Sequence, residues 1–250
     1  PISDSKVRAN AVAVHPTKGE AVVADNSGSA HLIDLDTGKV TKTVAAGKRG
    51  CVCVSYSPDG ELVAVGSDNN DKKGVKILSS TDLSTKASTS VHLSNKAKFL
   101  DWSADSQVLR ITHNWDCIYV GRDGAKLETP RLAGIGMATE SSPCGFQVQG
   151  ILDRTAAHPD QVKCVAAHAA QGLVAYGRKF HELRLAAYPC LGSLRETATG
   201  KMESLPEYDE YKHLHSEFVT GVAFTDQGDR LLSTGGADNT IIVWDVADKL

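Results

Sequence analysis

No apolar run in this chain approaches the ~20 residues that a membrane-spanning helix needs, and no charged-then-apolar secretory leader opens it. A helical membrane anchor is therefore not expected. An excess of one charge is missing too: Lys and Arg total 27 against 30 for Asp and Glu, a net charge of −3. A dedicated nucleic-acid binder would carry a strongly basic balance, so nucleic acid is not an expected partner. Paired metal-ligand spacings are absent. Six cysteines occur, Cys51, Cys53, Cys117, Cys144, Cys164 and Cys190, yet only Cys51 and Cys53 are close in sequence, and no second ligand pair accompanies them. Buried, reduced thiols are the expectation, with no metal site. The stretch Asp68-Asn69-Asn70-Asp71 is rich in oxygen ligands, but Lys72 and Lys73 follow it and no bidentate Glu completes a calcium loop. No cofactor is expected. The chain begins at Pro1 rather than Met, which reads as a piece of a longer protein.

What is present is concentrated at the end. Residues 215–246 read HSEFVTGVAFTDQGDRLLSTGGADNTIIVWDV. Val219, Val222 and Phe224 form an apolar strand that breaks at Asp226-Gln227-Gly228. Leu231 and Leu232 open a second strand, which Gly235-Gly236 ends, and Ile241 to Trp244 form a third. This order of His, polar turn, Asp turn and closing Trp-Asp resembles a WD40 repeat, one four-stranded blade of a β-propeller. In such a blade His215, Thr234 (or Ser233), Asp238 and Trp244 are expected to form a hydrogen-bonded chain that satisfies the indole N–H in the interior. A polar group left unpaired there costs about 1–3 kcal/mol. That structural duty accounts for all four side chains, and no catalytic residue is assigned.

The same strand–turn–strand unit recurs as AVAVHPTKGEAVVA (11–24), CVSYSPDGELVAVGS (53–67), FLDWSADSQVLRI (99–111) and CVAAHAAQGLVAYG (164–177). Third strands are expected at Ala30–Asp34, Val75–Leu78, Cys117–Val120 and Leu183–Ala187. The reading is all-β: a WD40-type β-propeller with about five recognisable blades, over residues 8–43, 50–90, 96–130, 145–190 and 214–250. Blades packed on both sides bury both faces, which explains nearly continuous Val, Ala and Leu runs in place of strict alternation. The closing Trp is replaced by Ile33, Leu78, Gly121 and Tyr188 or its neighbour, so only the last blade is expected to build the polar chain. His15, His168 and His215 are expected at equivalent blade edges. The polar segment 191–211 is expected to be a loop insertion. Five blades are read as part of a larger propeller, whose first and last members would then bare apolar faces or strand edges. Ile2–Val7 is a candidate for the strand that the last blade still lacks.

Several segments go beyond a general WD40 pattern. The run Cys144-Gly145-Phe146-Gln147-Val148-Gln149-Gly150-Ile151, the strand end Tyr188-Pro189-Cys190 and the final Ser233-Thr234-Gly235-Gly236 occur in one order with Ala64-Val65-Gly66-Ser67 and Leu100-Asp101-Trp102-Ser103. This succession, over roughly residues 50–246, resembles the C-terminal propeller of echinoderm microtubule-associated protein-like (EML) proteins. Departures lie at Leu152-Asp153-Arg154-Thr155, at Tyr119-Val120-Gly121 and in the longer segment after Cys190. The resemblance implies a non-catalytic, cytoplasmic and cytoskeletal (or ciliary and flagellar) scaffold that binds proteins and reaches tubulin through the full-length molecule. Its tubulin-associated HELP motif belongs to the other half of the family's architecture. The alternative is a WD40 adaptor of another machine, such as a ubiquitin ligase, trafficking or ciliary transport complex.

Loops between second and third strands share one rim of a propeller, and aromatic residues flanked by charge on such loops are typical interface anchors. Trp115, Phe180, Arg178, Lys179, Lys72 and Lys73 are the candidate partner-binding residues. Lys48-Arg49 and Lys96 with Lys98 are further cationic pairs suited to steering toward an acidic surface.

Overall fold

Residues with branched apolar side chains alternate with turn residues along this sequence, and the computed structural model of the protein resolves that pattern into antiparallel sheets. It describes residues 6–68, 74–89, 91–93, 95–113, 116–128, 135–152, 162–179, 181–191, 195–196, 202–203, 208–211 and 215–246. The architecture is all-β, of the WD40-type β-propeller class, and it divides into two compact units at Thr139/Glu140.

The first unit holds three blades. Blade 1 is β1 (Ala9–Val14), β2 (Glu20–Asp25), β3 (Ser29–Asp34) and β4 (Lys39–Ala45). Blade 2 is β5 (Cys51–Tyr56), β6 (Leu62–Ser67), β7 (Val75–Ser79) and β8 (Thr85–Ser88). Blade 3 is β9 (Ala97–Trp102), β10 (Val108–His113) and β11 (Asp116–Gly121), with Lys126 bridging back to Val120 at its outer edge. Each sheet is a meander, so the turns after its first and third strands share one end, called lower here. The turns after its second strand and the links to the next blade share the upper end.

Hydrogen bonds hold the three blades in parallel alignment. At the lower end Asp59 N donates to Ser106 Oγ at 3.1 Å. At the upper end Lys76 Nζ of blade 2 donates to Ala45 O of blade 1 at 3.3 Å. Val22, Ala24, Leu32, Val63, Val65 and Leu78 share one apolar core between blades 1 and 2. Ala64, Ile77, Trp102, Leu109 and Ile111 share a second between blades 2 and 3. Strands β6 and β10 are buried at every residue, which is why LVAVGS and VLRITH lack a polar face. VLRITH nevertheless buries three polar side chains, Thr112, His113 and Arg110, the last almost fully buried against Asp101 at 2.8 Å, whose other oxygen accepts the Thr139 hydroxyl at 2.8 Å.

The second unit holds two blades. Blade 4 is β12 (Val162–His168), β13 (Leu173–Arg178), β14 (Leu183–Ala187) and β17 (Tyr208–Tyr211). Blade 5 is β18 (Val219–Phe224), β19 (Arg230–Gly235) and β20 (Ile241–Asp245). A small hairpin, β15 (Arg195–Glu196) with β16 (Met202–Glu203), lies between β14 and β17 in sequence. The segment 191–211 therefore contains an outer strand: β17 pairs with β14 from Leu183↔Tyr211 to Ala186↔Tyr208. Its Tyr-Asp-Glu-Tyr sequence conceals this, because an outer strand buries little and needs no apolar alternation.

Register also corrects two positions. Trp244 pairs with Leu231, one row from the Arg230↔Asp245 pair. The equivalent residue is Ile33 in blade 1 and Leu78 in blade 2, as read from sequence, but Val120 in blade 3 and Ala186 in blade 4, not Gly121 or Tyr188. Tyr188 and Cys190 instead belong to a separate contact. A 3-10 turn at Phe146–Ile151 receives the Cys190 N–H at Gln147 O (2.7 Å), and Gly150 N donates to Cys190 O (2.8 Å). Val148 and Ile151 from this turn cover Val165, Val174 and Tyr176 of blade 4.

Candidate functional site

Blade 5 supplies the polar chain expected of its sequence, with one change of member. His215, just before β18, places Nε2 2.8 Å from Ser233 Oγ, and Trp244 Nε1 donates to the same oxygen at 2.9 Å. On the other side of the imidazole, Nδ1 lies 3.0 Å from Asp238 Oδ2 and 3.1 Å from Thr240 Oγ1. The hydroxyl in the chain is thus that of Ser233, not Thr234. Neighbouring residues of a strand face opposite ways, so Thr234 points to the other face and its hydroxyl meets Thr220 Oγ1 at 3.0 Å. Burial raises the Asp238 carboxyl, but N–H groups of Ser216 and Thr240 and the His215 ring outweigh it and hold the group at about 2. Ser233 is fully buried and its oxygen is already shared by two partners. A substrate has no approach to it, and the chain serves as an internal clamp.

Blade 1 carries a second polar chain that was not read from sequence. His31 on β3 places Nε2 2.8 Å from Asp25 Oδ2 and Nδ1 2.9 Å from the Thr43 hydroxyl. Asp25 Oδ1 accepts from Ser27 N, Ser27 Oγ and Ser29 N. Burial pushes the Asp25 carboxyl up, and His31, Ser27 and Ser29 more than offset this, leaving it at about 2. The signal was available as Asp-x-Ser-x-Ser with a His on the next strand, but WD40 spacing looks for the His before the first strand. Nor are the three histidines at equivalent edges. His15 Nδ1 accepts from Thr17 N and Lys18 N at the lower turn, and His168 Nδ1 accepts from Gln171 N; His215 sits upstream of its first strand.

None of the six cysteines forms a disulfide. Cys53 and Cys164 are equivalent, each directing its thiol at a carbonyl of the next blade, Ala97 O at 3.4 Å and Val219 O at 3.6 Å. Burial pushes both thiols up to about 12. Among the described residues, no group of three or more metal-ligating side chains occurs and no helix is long and apolar enough to cross a membrane.

Of the residues proposed to face a partner, Trp115, Phe180, Lys72 and Lys73 lie outside the described residues, as does most of Ile2–Val7. Arg178 is not on the exposed rim. It is 8 % exposed and pairs with Glu182 at 2.7 Å. Glu182 also meets Arg184 at 3.2 Å, and Arg184 meets Glu210 at 2.6 Å, so the side chain is used to tie β13, β14 and β17 together. Lys179 beside it is half-buried. Sequence reading missed Phe218, which is 41 % exposed at the upper rim of blade 5, where its carbonyl accepts the Gly236 N–H. It also missed Arg8, exposed and adjoining Asn26 at the upper end of blade 1. Lys48, Arg49, Lys96 and Lys98 are exposed at that same end.

Comparison with known proteins places this geometry in a family. Residues 2–246 match the model of the echinoderm microtubule-associated protein second beta-propeller. The chain is 27% identical over 241 residues to echinoderm microtubule-associated protein-like 4 of Xenopus tropicalis, covering 94% of this chain and 24% of the relative. It is 29% identical over 239 residues to the mouse (Mus musculus) echinoderm microtubule-associated protein-like 3, covering 93% and 25%. With the rat (Rattus norvegicus) echinoderm microtubule-associated protein-like 2 it shares 28% over 251 residues, covering 96% and 35%. The chain thus spans about a quarter to a third of these relatives' length. Among solved structures, a chain of the mitotic checkpoint complex superposes with a TM-score of 0.54 at 15% identity, covering 96% of this chain and 65% of that one. The Cps50 (Swd1) β-propeller domain of Myceliophteria thermophila does so at 0.54 and 13%, covering 96% and 66%. Likeness at that identity concerns the fold alone.

Proposed function

We propose, given that this chain belongs to the echinoderm microtubule-associated protein family as its second β-propeller, that it is a non-catalytic interaction platform of a microtubule-associated, cytoskeletal protein. The observation that carries this reading is the structural use made of two buried polar chains and two buried thiols. The Ser233–His215–Asp238 chain is closed by Trp244, and the Thr43–His31–Asp25 chain spans the strands of blade 1. The Cys53 and Cys164 thiols are tied to backbone carbonyls and held protonated. Chemistry of that kind stabilises blades and leaves loops and rims for partners. The partners are proteins, tubulin among them in the context of the full-length molecule. Of the rim residues put forward from sequence, Lys179 remains a contact candidate beside Phe218, whereas Arg178 acts through the internal ion pairs.

The test is co-sedimentation of the 250-residue chain with stabilised microtubules across a salt series. Salt-sensitive pelleting of a monodisperse sample is the expected result if this half contacts tubulin itself. Retention in the supernatant at every salt concentration would assign tubulin binding to other parts of the parent protein, and the platform would then serve a different protein.

A further inference from the structure

The two ends of blades 1–3 carry opposite charge, and only one of these charges is explained by folding. At the lower end Asp34 accepts from Thr37 N and Oγ1, Asp59 from Ser57 Oγ and Glu61 N, and Asp82 from Ser84 N and Oγ. Asp105 accepts from Ser103 Oγ and Gln107 N, and Asp123 from Ala125 N. Each of these carboxylates closes a hairpin turn, and Arg122 further pairs with Asp59 and Glu61. Acidity at this end is a by-product of turn chemistry.

The upper end is the reverse. Lys6, Arg8, Lys48, Arg49, Lys96 and Lys98 are all exposed there. The described carboxylates at this end are Asp25, buried and bonded to His31, with Asp68 and Asp116. Among the described residues, no side-chain hydrogen bond or ion pair holds Arg8, Lys48, Arg49 or Lys96. Their place is nevertheless fixed by the backbone. The link between β4 and β5 is pinned where Ala46 N and Gly47 N both donate to Gly28 O, at 2.9 and 2.8 Å. Gly28, at φ +93°, leaves no room for a Cβ, which would stand 2.4 Å from Arg49 O. Arg8 is anchored through its N–H to Asn26 Oδ1 at 2.7 Å. Arg8, Lys48, Arg49 and Lys96 are thus presented from a backbone-pinned end, on a chain whose net charge is −3.

We infer that this upper end binds an extended acidic polypeptide segment, whose carboxylates pair with Arg8, Lys48, Arg49 and Lys96. The inference deepens the interaction role proposed above and rests on it. Charge complementarity selects the occupant: clustered cations of one sign sum their fields within a Debye length of about 8–10 Å. Nucleic acid fits less well, because no exposed Phe, Tyr or Trp stands among the described residues of this end to stack on bases.

The experiment is fluorescence anisotropy of a labelled oligoglutamate peptide titrated with the 250-residue chain at rising salt, beside a labelled oligouridylate. Two triple variants carry the same change in net charge, Lys48→Glu/Arg49→Glu/Lys96→Glu at the upper end and Lys18→Glu/Lys39→Glu/Lys126→Glu at the lower. Thermal melts verify that both remain folded. The expected result is salt-sensitive peptide binding that the upper variant weakens by about tenfold or more while the lower variant changes it less than about twofold. Equal weakening in both variants, absence of peptide binding at low salt, or tighter binding of the oligouridylate overturns the inference. Peptide binding without microtubule pelleting sinks only the tubulin reading, and pelleting without peptide binding sinks only this one.

Discussion

At the scale of single residues, polar side chains in this protein are placed by which face of a strand they occupy. Ser233 and Thr234 are chemically near-equivalent and adjacent, yet one joins two partners in the interior and the other meets Thr220 at the surface. Ser233→Ala would leave the Trp244 N–H and the His215 ring without their shared oxygen. A loss of about 1–3 kcal/mol in unfolding free energy is expected, measured by urea denaturation followed by Trp fluorescence. Thr234→Val, by contrast, is expected to change stability by less than about 0.5 kcal/mol. Equal effects would mean that the buried chain contributes nothing beyond packing. Serine and threonine could not be separated from sequence because the choice depends on strand register, and a bulge between Val219 and Gly221 shifts that register.

At the scale of elements, the recurring device is a glycine on a second strand where the next blade's first strand crosses closely. Gly66 of β6 and Gly177 of β13 occupy matching positions. A Cβ on Gly66 would lie 2.4 Å from Cys53 Sγ and 3.0 Å from Ala97 Cβ; one on Gly177 would lie 2.6 Å from Val219 Cβ and 2.7 Å from Cys164 Sγ. Gly66→Ala and Gly177→Ala are each expected to cost about 1–3 kcal/mol through overpacking, read as a fall in melting temperature. Adding Cys53→Ala to Gly66→Ala should recover part of the loss, because the nearer obstacle is then gone. No recovery would place the strain elsewhere. The strand runs, the hairpin turns and the third strands were legible from residues alone. Strand β17 was not, because an outer strand with one neighbour buries too little to leave an apolar pattern. The contact between the Phe146–Ile151 turn and Cys190 was legible only as two motifs, since nothing local links them.

At the scale of the molecule, exposed apolar side chains on two blade faces stand out. Val12 and Val14 on β1 are 64% and 59% exposed, and Ile241 and Val243 on β20 are 68% and 56% exposed. In each sheet the opposite face is packed against the adjoining blade of its own unit. Such apolar surface is expected to bind a hydrophobic dye, and exchanging these four residues for Thr should reduce dye fluorescence without lowering the melting temperature, because their burial contributes little in this chain. A marked fall in melting temperature would show that the faces are covered in solution.

The boundary between what residues announce and what folding decides follows from the range of the forces involved. Strand periodicity, turn chemistry and the closing Trp-Asp are local, so the all-β class, the five blades and the family resemblance could be read from residue order alone. Selection of Ser233 over Thr234, the His31–Asp25–Thr43 chain, the withdrawal of Arg178 into ion pairs and the gathering of cations at one end of blades 1–3 required the fold. Each depends on which residues from distant parts of the chain share a face or an end, and on water being excluded between them.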